Sequence, residues 1–248
     1  MLAALLLPSG LIAYLSFFVD AATVFHSAAF HEIAIAFATL ITAFLTFLSH
    51  RIYKRVGTPF FRFLTLGILG FAAVYAPHGI LTRTAQHNAI LFLVFGPVSR
   101  LTMSAYMLLA ILRTARSSSV GRTDVKPVGW WPHLTLFGSI DVAVFLLAGS
   151  SMGLSAIHLR ITESVTLCVF SLCVLLMRVL NISTPLHWFY PAALLLFAQS
   201  SVAFLFARPW NHMWWLAHFV FAAGAFVLGY GLARAYEGIG DIRRRENE

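Results

Sequence analysis

The chain has 248 residues, 60% of them hydrophobic and only 10% charged, with a formal net charge of +8 and a mean hydropathy of +0.84. A water-soluble fold cannot hide that much apolar surface, so soluble enzymes and soluble binding domains are excluded. The expected fold class is an all-α integral membrane protein, a bundle of about eight transmembrane helices.

Apolar runs long enough to cross about 30 Å of hydrocarbon at 1.5 Å per residue fall, in chain order, at Leu2–Val19, Phe30–Ser49, Phe61–Ala76, Ala89–Leu112, Leu134–Leu154, Ile161–Leu180, Phe189–Phe206 and Met213–Ala233. The first also reads as a signal peptide, with Asp20-Ala21-Ala22 as its exit, but the basic n-region is missing. Together they predict a transmembrane domain over 1–236 and a polar cytoplasmic tail over 237–248.

Lys and Arg resist translocation and collect in cytoplasmic loops. Arg51, Lys54 and Arg55 follow span two; Arg113, Arg116, Arg122 and Lys126 follow span four; Arg178 follows span six; Arg243, Arg244 and Arg245 follow span eight. Every even span therefore ends inside, with both termini cytoplasmic in a multi-pass plasma (inner) membrane protein. Trp130, Trp131 and Trp188 fall at the inner interface and Trp210, Trp214 and Trp215 at the outer one. The lipid bilayer is thus the first partner, and the positive charge calls for no nucleic acid. Cys168 and Cys173, within span six, read as small buried hydrophobes.

An offset near 126 relates the two halves of the chain. His31 to Arg51 matches His158 to Arg178, Thr58-Pro59 matches Thr184-Pro185, and Arg83 with His87 matches Arg208 with His212. Two four-span repeats, 1–112 and 133–236, would have the same orientation and be related by an axis along the membrane normal.

Seven of the ten histidines fall at the outer ends of spans: His26, His31, His78, His87, His158, His212 and His218. Neutral imidazole ligates transition metals and haem iron. Singly, each also serves as an interfacial cap, and no helix carries a two-histidine clamp, so ligands must converge from several helices. His31, His78, His158, His212 and His218 are the candidates for holding a cofactor. For a metal the set is His26, His31, His87, His158 and His212, with Glu32 and Glu163 supplying carboxylate. Copper, zinc and haem b all stay open on this pattern.

At membrane depth, Arg100 follows the Gly96-Pro97 break, and Asp141 lies near the same level in span five. Each charge alone costs at least about 2.5 kcal/mol to insert, so Arg100 and Asp141 are expected to pair with each other or to face a polar cavity, with Glu163 and Gln199 as residues that could extend the pair. Tyr75-Ala76-Pro77-His78-Gly79 is expected to end span three at the outer face, and Pro191 to kink span seven. The small residues of span eight, from Ala222 to Gly231, suit close helix packing. There is no P-loop, nucleotide fingerprint or serine elbow, and no catalytic residue is assigned.

Three stretches carry a family resemblance: Tyr75-Ala76-Pro77-His78-Gly79, the run from Leu91 to Arg100, and the run from Met213 to Gly231. They look like bacterial membrane-associated sensor domains of the MASE type. That resemblance implies a helical module that detects an envelope, membrane or small-ligand signal and passes it through span eight to a cytoplasmic signalling domain or partner. It implies no ligand residues. The leading expectation is a sensory module with an outer-face histidine site. Its rivals are a zinc-dependent membrane hydrolase with Glu32 or Glu163 as general base, and a transporter with a path past Arg100 and Asp141.

Overall fold

The computed structural model describes residues 2–120, 129–149 and 154–246. Arg122 and Lys126 of the expected cytoplasmic loop, the last residues of the expected span five (150–153) and the end of the tail (247–248) lie outside them. Eight α-helices account for most of the described chain: α1 Leu2–Phe18, α2 Ala28–Val56, α3 Pro59–Ile80, α4 Ala89–Val120, α5 Trp131–Gly149, α6 Ala156–Val179, α7 Phe189–Phe206 and α8 His212–Glu246. A 3-10 turn at Thr82–Gln86 links α3 to α4. Seven of the helices are long and apolar enough to cross a membrane, and α1, with 17 residues, is a shorter apolar helix. The protein is an all-α membrane bundle.

Lipid explains which face of each helix turns inward. Along α2 the buried residues His31, Ile35, Thr42, Leu45, Ser49 and Ile52 follow a helical stripe, while Ile33, Phe37, Leu40, Phe44 and Phe47 are exposed. In water that exposed face would be untenable; in hydrocarbon it is the solvated surface. Hydroxyls inside the bundle bond back to their own helix: Thr39 donates to the Ile35 carbonyl at 2.9 Å and Thr46 to Thr42 at 2.8 Å.

Six helices close into a ring in which α2 packs on α3, α3 on α4, α4 on α6, α6 on α7, α7 on α8, and α8 back on α2. Large side chains fill the middle. Phe71 stacks on Phe221 at 4.8 Å, Phe221 meets Phe197 at 4.8 Å, and Phe197 meets Phe170 at 5.4 Å. The remaining two helices lie outside the ring in matching positions: α1 packs on α7 and α8, and α5 on α3 and α4. Each thus leans on the helices of the opposite half of the chain. The first turns of α4 and α8 match too, since Asn88 Oδ1 accepts from Leu91 N–H at 2.8 Å and Asn211 Oδ1 from Trp214 N–H at 2.9 Å.

The α7–α8 contact depends on a missing side chain. A Cβ on Gly224 would lie 2.7 Å from the ring of the buried Phe197. Gly224→Leu is therefore expected to lower stability by about 1–3 kcal/mol through overpacking, read as an earlier thermal unfolding transition in detergent. An unchanged transition would mean that the two helices approach less closely than described.

Candidate metal centre

The site forms where α2, α3 and α8 meet. His31 stands one turn into α2, below the Ser27 cap whose Oγ accepts from Phe30 N–H at 3.3 Å. His78 stands in the last turn of α3. That helix does not stop at Pro77 as expected but runs on to Ile80, and this extra turn carries His78 inward, where it is 3% exposed. Gly79 lets α2 come close at this level, because a Cβ there would lie 2.6 Å from Ile35 Cγ2. His218 comes from the second turn of α8.

One nitrogen from each of these three imidazoles lies within 4.8 Å of the other two. The hydrogen-bond network selects which nitrogen. His78 Nδ1–H donates to the Phe92 carbonyl at 2.7 Å, and His218 Nδ1–H donates to the Trp214 carbonyl at 2.8 Å. The Thr82 hydroxyl donates to the His78 carbonyl at 3.3 Å, so its oxygen accepts from His31 Nδ1–H at 3.0 Å. All three rings are thereby held in the tautomer that leaves the Nε2 lone pair free, the arrangement in which proteins present histidine to a metal. His31 Nε2 is buried with no hydrogen-bond partner among the described residues. An unmet imidazole nitrogen in a 0% exposed side chain is costly unless something occupies its lone pair.

Aromatic rings wall the triad. The His31 ring lies 4.8 Å from Trp214, 5.5 Å from Trp210 and 5.5 Å from Phe92. Trp210 adopts a left-handed backbone with φ of 71°, a conformation that costs a bulky residue about 1–2 kcal/mol. It is held by packing parallel to Phe92 at 5.9 Å and by its carbonyl, which accepts from Phe25 N–H at 2.9 Å. The loop before α2 is thus pinned to the loop before α8.

The other expected ligands stand elsewhere. His158 is exposed and caps α6, its Nδ1 accepting from Ser155 N–H at 3.1 Å. His87 is exposed, and His26 packs on Trp210 at 4.4 Å. His212 starts α8 outside the triad, its Nδ1 buried with no partner among the described residues. Glu32 accepts from Arg83 at 2.9 and 3.3 Å. His31 and His158, matched by the sequence offset, face different helix junctions, so the offset brings no pair of histidines together.

The expected Arg100–Asp141 pair is corrected. Arg100 binds Glu163 in bidentate fashion, Nε to Oε1 at 3.1 Å and Nη2 to Oε2 at 2.9 Å, with the residues 4% and 2% exposed. The guanidinium also lies 3.8 Å over the Phe204 ring. Physically, α4 turns its Arg100 face toward α6 within the ring, whereas α5 lies outside it on α3 and α4. Asp141 is half-buried, and its Oδ1 has no partner among the described residues. Asp141 takes no part in this pair, and both carboxylates put forward as hydrolytic bases are engaged by arginines.

A scan against protein-family models and searches of curated proteins and of solved structures found no match to this chain. The site therefore rests on its own geometry: three imidazoles that can hold a metal ion.

Removing one partner of a buried ion pair strands the other charge, at a cost of about 3–5 kcal/mol. Glu163→Gln should show that loss in thermal unfolding, while Asp141→Asn should cost less than about 1 kcal/mol. Equal losses in the two variants would contradict the Arg100–Glu163 assignment.

Proposed function

We propose that this chain is a membrane-embedded sensory module that binds one copper or zinc ion through His31, His78 and His218 and reports its occupancy to the cytoplasm through α8. The observation that carries this reading is the convergence of three imidazole nitrogens within 4.8 Å of one another.

The donor chemistry narrows the ion. Three neutral imidazoles without thiolate or carboxylate suit copper and zinc, whereas magnesium, calcium and manganese favour oxygen. With bonds of about 2.0–2.1 Å the nitrogens of a bound ion stand about 3.3–3.6 Å apart, so side-chain rotations of about an ångström close the triad. Haem b fits less well. A macrocycle between two axial imidazoles needs the space in which the third imidazole stands.

The sensory half rests on helix architecture and on the resemblance to MASE-type domains. The three ligands come from three helices, so an ion draws α2, α3 and α8 toward one point. α8 then continues as one helix of 35 residues to Glu246. Near its far end Tyr236 accepts from Arg55 Nη2 at 2.6 Å, with the guanidinium 4.0 Å over the phenol ring, which couples α8 to the end of α2. In the orientation drawn from the basic residues, the triad faces the outside and this coupling faces the cytoplasm. A small change of angle at the triad then becomes a displacement of α8 at the inner surface.

Metal analysis of the purified chain after loading with copper or zinc should find one ion per molecule. His31→Ala, His78→Ala and His218→Ala should each lose it, while His87→Ala and His158→Ala keep it. Thr82→Val, which removes the acceptor for His31 Nδ1–H, should weaken affinity about 10–100-fold. Retention in all three triad variants, or no ion in the wild type, overturns the metal reading. For signalling, spin labels at Lys54 and Arg234 should report a changed distance on metal loading, and an unchanged distance overturns that half.

A further inference from the structure

Beside the triad lies a cavity of about 280 Å³. His78 and His218 form one wall; Arg100 and Glu163 form its deep end; Arg160 and Arg208, both exposed, stand at its mouth. The Gly96-Pro97 step of α4 makes the room. No side chain projects from Gly96, and a Cβ there would lie 3.4 Å from Arg100 Nη1. Arg100 spends Nε and Nη2 on Glu163, and Phe204 covers its face. Nη1 is left as the donor on the Gly96 side.

Charge makes a demand on this space. A divalent ion held by three neutral imidazoles keeps its full charge, at a depth where an uncompensated charge is expensive. The carboxylate on the cavity wall, Glu163, is already neutralised by Arg100. The other charged residues lining the cavity are the two arginines at its mouth, so the lining adds positive charge. Aromatic rings crowd His31, with Trp214 and Phe92 within 5.5 Å of it. This cavity reaches the triad along the wall formed by His78 and His218; a second cavity of about 260 Å³ that also touches His218 is lined mainly by apolar side chains.

We infer that this cavity admits a small soluble carboxylate or oxyanion, which enters past Arg160 and Arg208 and completes the coordination of the metal on the His78–His218 side. The inference rests on the metal reading above. The anion supplies the negative charge that the protein ligands lack, and three protein ligands leave a fourth position in the geometry zinc sites of this kind adopt. A volume of about 280 Å³, just under the range of about 300–1,000 Å³ that serves drug-sized ligands, suits a small anion. Occupancy by metal and occupancy by anion are then coupled, so the module responds to the two together.

The test uses the full chain in lipid-free detergent, loaded with cobalt(II), whose visible ligand-field spectrum reports coordination. Titration with acetate or azide should change the spectrum saturably. Arg160→Ala combined with Arg208→Ala, both at exposed positions, should weaken that titration at least about 10-fold while cobalt stoichiometry stays at one. Gly96→Leu, which fills the cavity, should abolish the anion response and retain the cobalt spectrum. Cobalt bound with no anion response in the wild type overturns this inference and leaves the metal reading standing, whereas no cobalt binding at all removes the metal reading itself. An anion response undiminished in both variants places the anion elsewhere and also overturns it. A spectrum already shifted in phosphatidylglycerol vesicles, and insensitive to added acetate, assigns the anion to a lipid headgroup and overturns the soluble ligand.

Discussion

Inside a membrane there is no water to complete a polar group, so every donor and acceptor within the ring must find its partner in protein. Most of this structure obeys that constraint locally. Threonine hydroxyls return to their own helices, the asparagines at the starts of α4 and α8 accept from free backbone N–H groups, and Tyr190 donates across the ring to the Met107 carbonyl at 3.2 Å. Arg100 and Glu163 satisfy it as a pair. The histidine triad satisfies it halfway: each Nδ1 has an oxygen, one nitrogen of each ring lies within 4.8 Å of the other two, and His31 Nε2 is buried with no partner among the described residues. A buried nitrogen left without a partner is one that a bound ion or an ordered water can satisfy.

Much of the fold was legible in the sequence because a membrane span is a local property. Length and hydropathy placed all eight helices, although α2, α4 and α8 run on past Ser49, Leu112 and Ala233 to Val56, Val120 and Glu246, and the helical stripe on α2 could have been drawn from the spacing of His31, Ile35, Thr42 and Ser49. What local pattern does not carry is which helix stands beside which. Asp141 lies near the depth of Arg100 and so looked like its partner; in the ring, α6 takes that place and α5 is displaced to the outside. Helix adjacency is decided by packing over the whole bundle.

The histidines show the same division. Their concentration at one end of the bundle was readable, but the selection among them was not. His78 and His218 had no counterpart under the 126-residue offset, whereas His158 and His212 were matched, and all four stood beside His31 as candidates for holding a cofactor. The structure brings the two unmatched residues together with His31 and leaves His158 and His212 outside. Two signals were available: His78 follows a proline that does not stop its helix, and His218 lies one turn beyond the Trp214-Trp215 pair, where an aromatic wall forms. In the ring α2 packs on α3 and α8, and α6 packs on α7 and α4, and the two groups carry different chemistry. The first carries the imidazoles; the second carries Arg100, Glu163 and Phe204.

The exchanged outer helices bear on how the chain is assembled. α1 precedes the other seven helices in the chain, yet its neighbours α7 and α8 come after the rest of the eight, and the bond from Gln199 Nε2 to Ser9 Oγ at 2.8 Å joins residues 190 positions apart. During synthesis α1 must wait in the bilayer without these partners until α2 to α6 have been inserted. α5, by contrast, finds α3 and α4 already in place. The last helix therefore does two jobs on arrival: it brings His218 to the two imidazoles already present and captures the first helix. Closure of the ring and completion of the triad become one event in the life of the chain, so a molecule whose C-terminal helix fails to insert has neither a sealed bundle nor a third ligand.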